Sequence, residues 1–71
     1  MPYTARIERA QRHVEGGKRI VAAQEALVST IKERGENIAD AQSLLDAFRL
    51  TLAAFEDDLI RFQELQRLAK P

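Results

Sequence analysis

His13 is the single imidazole in a chain without cysteine, and imidazole is the side chain proteins use most for proton transfer and metal ligation. Once the helices described below are paired, Glu15, Glu56 and Asp58 lie in the same region. One histidine with scattered carboxylates is still no ligand set, so no metal is expected. Nucleophilic catalysis finds no better footing. Ser29, Thr30, Ser43 and Thr51 lie within helical segments, no second histidine can complete a triad, and no glycine-rich loop follows a strand. The expectation is a non-enzyme without cofactors. What remains is charge. Residues 1–35 hold seven Lys/Arg and four acids, and residues 36–71 the reverse. Arg9, Arg12 and Arg19 share an outward stripe, and Glu56-Asp57-Asp58 forms an acidic run. Opposite charges on the two halves favour their antiparallel pairing. Alternatively, the arginine stripe with His13 is a partner face for an acidic protein or nucleic acid. Nucleic acid is not expected, because no exposed aromatics interleave the arginines and no DNA-binding motif is present.

These residues are carried by a plain helical pattern. In the first half, positions spaced three and four apart read Ile7, Ala10, Val14, Gly17, Val21, Gln24, Val28, Ile31; in the second they read Ile38, Ala41, Leu45, Phe48, Leu52, Phe55, Leu59, Phe62. This is an a/d heptad seam through both halves, interrupted by Gly17 and Gln24. Lys32-Glu33-Arg34-Gly35 has basic side chains for the negative end of a helix dipole and a glycine for the left-handed position after it. Asn37 follows as an N-cap, with Asp40 where a capping-box acid would stand. Pro2 and Pro71 stand where a helix can begin and must stop. The reading is one all-α domain over residues 1–71, an antiparallel two-helix hairpin with helices over about 4–34 and 38–69 and a turn at 35–37.

Folded at that turn, the seams meet in one register, with opposed residues whose numbers sum to 69. Large faces small at Gly17/Leu52 and Ala10/Leu59, as a packed interface needs. Gly16-Gly17 costs roughly 2 kcal/mol in helix propensity against two alanines. Close helix approach, a kink, and an exposed backbone for a partner all remain open as its reason. His13 is placed opposite Asp58, for an ion pair or hydrogen bond across the hairpin.

One stripe per helix does not use all the apolar residues. At the flanking g positions lie Ile20, Leu27 and Leu44, an edge strip extended by Ala23, Ala41 and Ala47 and widened by Phe48. Leaving aliphatic side chains wet is costly in a domain whose stability is only ~5–15 kcal/mol. The economical solution is a second copy, giving a dimeric four-helix bundle that self-associates through Ile20, Leu27, Leu44 and Phe48. A helix from an unidentified protein is the other candidate partner. Toward the termini the g positions hold Arg6, His13, Asp58 and Leu65, and this end of the edge reads as polar, so the contact is expected to be driest near the turn.

Size and composition agree. A compact chain of 8.0 kDa buries only about 60% of its unfolded surface, and no disulfide is available to help. The formal net charge is zero, which disfavours a purely electrostatic hold on nucleic acid or an anionic membrane. The longest apolar runs, such as Ile20–Ala23, are four residues, too short for a membrane span. The N-terminus shows no apolar segment of signal-peptide type, so a cytoplasmic setting is expected.

Two resemblances bear on role. His13-Val14-Glu15-Gly16-Gly17-Lys18 resembles the active segment of histidine phosphotransfer domains, which would imply a phosphorylated His13 on a four-helix bundle. Here the basic residue comes five positions after the histidine rather than three, and Glu15 would repel a phosphoryl group. Arg12-His13-Val14-Glu15-Gly16 with Arg19-Ile20 and Gln24, then Arg34-Gly35, Ala41, Leu44-Leu45, Phe48 and Thr51-Leu52, is similar to short alphaproteobacterial proteins of helical-hairpin type, common in rhizobia. That similarity spans roughly residues 10–60 and implies a bacterial cytoplasmic setting, but no activity.

Overall fold

The computed structural model describes residues 1–69 and is an antiparallel hairpin of two helices, α1 (Thr4–Glu33) and α2 (Ala39–Ala69). The helical stop expected at Pro71 lies outside the described residues. Each helix is ~45 Å long at 1.5 Å per residue, and the molecule is a rod of 59 × 14 × 11 Å. Its radius of gyration, 16.4 Å, far exceeds the ~11 Å of a globular chain of this length.

The turn is built by local chemistry. Gly35 takes φ 71, its N–H donates to the Lys32 carbonyl, and the Glu36 N–H donates to the Ile31 carbonyl. These paired bonds form a Schellman stop, which needs a left-handed residue at that position. The Asn37 Oδ1 accepts from the N–H of Ala39, the first residue of α2, at 2.8 Å, an Asx-type bond that caps the helix start. Asp40 stands in the first turn of α2, where its charge suits the dipole. Its reciprocal capping-box bond to the Asn37 N–H is not formed among the described residues, so the cap is one-sided. At the far end Gln66 clamps the chain start. Its Oε1 accepts from the Tyr3 N–H at 2.9 Å and its Nε2 donates to Thr4 Oγ1 at 3.1 Å.

Every seam position is buried or half-buried, so the heptad register is the packing register. α1 runs unbroken through Gly16-Gly17. A Cβ added at Gly17 would meet Leu52 Cδ1 at 3.1 Å and Phe55 Cδ2 at 3.5 Å, whereas one at Gly16 would meet only the tip of Arg19 at 3.9 Å. Close approach is therefore the reason for Gly17; nothing in the structure requires a glycine at Gly16. Gln24 is buried in the seam, and its Nε2 donates to the Ala41 carbonyl at 2.9 Å. The core is thin: the buried apolar side chains are Ala10, Val14 and Leu45, and no large side chain is fully buried among the described residues.

Candidate functional site

Two edges flank the seam, and they differ in kind. The e positions carry Gln11, Lys18, Glu25 and Lys32 on α1 and Gln42, Arg49, Glu56 and Gln63 on α2. This edge is polar throughout, and Arg49 Nη2 donates to Glu25 Oε2 across it at 3.0 Å. Both side chains are about half exposed, so the pair is worth little in stability, but it confirms the helix pairing. The opposite edge, formed by the g positions and the c positions beside them, holds every candidate residue of interest except Phe48, Arg12 and Arg19.

Near the turn this second edge is apolar. Ile20, Leu27 and Leu44 keep 50%, 47% and 47% of their surface exposed, with Ala23, Ala47 and Thr51 exposed beside them. Phe48 is half-buried within the seam. Leu50, Ile60 and Leu68 are more exposed still but stand at different heptad positions of α2, well separated along it. Isolated exposed leucines are ordinary, whereas a contiguous strip is informative.

Toward the termini the same edge opens into a cleft of ≈ 210 Å³, with Phe55, Phe62 and Ala10 among its lining and Arg6, Arg9, His13 and Asp58 around them. Ala10 is small where the register opposes it to Leu59, and the half-buried rings of Phe55 and Phe62 line the cleft beside it. His13 stands here, but not as the sequence suggested. Its ring lies against Phe55, with centroids 5.0 Å apart and planes tilted 36°. Asp58 is instead held by Arg61, one turn along its own helix. The expected His13–Asp58 bond is not formed among the described residues. A local i,i+3 partner on the same helix reaches the carboxylate more directly than a side chain across the seam. Arg9 lines the cleft with His13, while Arg12 and Arg19 are exposed outside it, so the proposed partner face is divided. Arg6, named in the sequence only as part of a polar end, is a full member of the cleft, and its guanidinium also sits 5.8 Å from the Tyr3 ring centroid. The spacing Arg6, Arg9, His13 already placed all three on one helix face; that Phe55 and Phe62 line a cleft beside them needed the packed pair.

Chemically the cleft offers guanidinium and imidazole donors around an aromatic floor. It is smaller than most ligand pockets, which run to about 300 Å³ and above. Among the described residues no three His, Cys, Asp or Glu side chains gather as a metal site. Among the described residues the one shifted acid lies beyond the cleft: a hydrogen bond from Arg67 holds the Glu64 carboxyl below its ordinary range and raises Arg67 in turn. No helix among the described residues is long and apolar enough to cross a membrane. Compared with protein-family models, with curated proteins and with solved structures, the chain matches none.

Proposed function

We propose that this hairpin is a small non-enzymatic interaction module that works as a homodimer, two copies pairing along the Ile20/Leu27/Leu44 edge into a four-helix bundle. The observation that carries this is the distribution of surface. The chain exposes 5292 Å², about 800 Å² more than the ~4,450 Å² of a compact chain of its mass. That surplus is about the area each partner contributes to a standard protein interface. The exposed apolar strip lies on one edge only, so one partner suffices to cover it. Each half-exposed aliphatic side chain contributes about 1 kcal/mol when its remaining surface leaves water, and a two-fold pairing covers both copies' strips at once.

Light scattering behind size exclusion, over a dilution series, tests the reading. A mass near twice 8.0 kDa is expected, and Leu27→Glu or Leu44→Glu should give monomer or unfolded chain. A wild-type monomer, or a Leu27→Glu chain unchanged in mass and helicity, would overturn it. A bacterial cytoplasmic setting, as the resemblance to alphaproteobacterial hairpins implies, belongs to this proposal.

The cleft favours a second reading, in which Arg6, Arg9 and His13 receive an acidic partner and the module is a regulator. His13→Gln and Arg9→Ala would then abolish a cellular phenotype while leaving the solution mass unchanged. A purely structural module tolerates both.

A further inference from the structure

Resting on the dimer reading above, the position of charge and apolar surface along the rod also decides how the second copy lies. Counted from the turn at ~1.5 Å per residue, Leu27 and Leu44 stand ~10–15 Å along the edge, Ile20 and Thr51 ~20–25 Å, and His13 and Asp58 ~30–35 Å. A two-fold axis in the plane of this edge allows two kinds of pairing. With both turns at one end, α1 lies antiparallel on the partner's α2, and residues at equal distance from the turn meet. Head to tail, like helices stack on like, and each level meets a different one.

The first kind matches the chemistry from the turn out to the level of His13; beyond it Leu65 comes level with the partner's Arg6. Leu27 meets the partner's Leu44, and Leu44 meets the partner's Leu27, in a single apolar layer. Ile20 and Ala23 meet the partner's Thr51 and the partner's Ala47. At the cleft His13 meets the partner's Asp58; Arg9, ~6 Å further out, comes level with the partner's Arg61 and reaches back toward the same carboxylate. Asp58 holds Arg61 through Oδ1, and a carboxylate has further acceptor positions for a second guanidinium. The head-to-tail alternatives fit worse. Full overlap lays Leu27 at the level of the partner's Arg9 and the partner's His13, setting leucine against guanidinium. Sliding the rods until the leucines coincide leaves only ~25 Å of overlap, too short to cover the surplus surface, and leaves both clefts open.

We infer that two copies pair with their turns at the same end, so that each cleft is completed by the partner's Asp58 beside its own Arg9 and His13.

The chain has no cysteine, so Ala5→Cys, at an exposed position facing away from the proposed contact, takes one nitroxide label per copy. Pulsed electron–electron double resonance on the labelled dimer should then give ~20–30 Å, the ~11–14 Å diagonal of a four-helix bundle with helices 8–10 Å apart plus the outward reach of two labels. Labelled and unlabelled chains must show the same mass and helical circular dichroism. A dimer with a distance of ~45 Å or more overturns the same-end arrangement and leaves self-association standing. A monomeric mass overturns both.

Discussion

At the scale of single residues the two adjacent glycines separate cleanly. Gly16 occupies helix without a packing reason, so Gly16→Ala recovers helix propensity and should raise stability by about 0.5–1 kcal/mol. In a domain of this size that is a melting-temperature increase of a few degrees. Gly17 faces Leu52 at a distance a Cβ can barely share, and Gly17→Leu should lower stability by about 1–3 kcal/mol through overpacking. Thermal melts of the two variants check both; equal effects would contradict the close-approach reading. A further residue-scale effect concerns acid. The Glu64 carboxyl sits below its ordinary range because Arg67 donates to it. A depressed carboxyl contributes stability above its unfolded pKa, and that contribution is lost as pH falls through the folded value. The pair is fully exposed, so Glu64→Gln should flatten only slightly the stability decline below about pH 4.5, as followed by circular dichroism on acid titration.

At the scale of elements the turn decides whether two seams become one interface. Gly35 holds a left-handed conformation, which costs an L-residue about 1–2 kcal/mol. Gly35→Ala should destabilise the hairpin by that amount, and Asn37→Ala by about 1 kcal/mol through loss of its bond to the Ala39 N–H. Denaturant titrations with an unchanged m-value would assign both to the turn rather than to altered compactness. Within the seam, Gln24 specifies more than it stabilises. A polar side chain at a seam position fixes register at a cost in stability, and the Ala41 carbonyl it reaches lies inside a helix. Gln24→Leu should therefore retain or raise the melting temperature; a loss above about 1 kcal/mol would mean the bond outweighs the burial of the amide.

At the scale of the whole molecule the deciding fact is a rod with a thin core. A hairpin of this length cannot enclose large side chains from all sides, and its exposed apolar residues form a continuous strip along one edge. This is why the dimer test governs the rest. If the mass is double, Leu27→Glu should remove it and lower the melting temperature together, because association and stability are linked through the same surface. Dilution should then also lower the melting temperature of the wild type. A concentration-independent melt would place the stability in the single hairpin.

The sequence by itself determined what depends on short-range chemistry: the period of the two seams, the glycine stop at Gly35, the Asn37 cap and the pairing of Gly17 with Leu52. A repeated three-four spacing admits one buried stripe, and a single turn admits one way of folding it. The tertiary structure decided what depends on which side chains compete for the same partner. Asp58 took Arg61 rather than His13, because one turn of its own helix brings the guanidinium to the carboxylate. His13 settled on Phe55, and Arg6 and Arg9 joined it around a cleft lined by Ala10, Phe55 and Phe62 that forms only when the two helices pack.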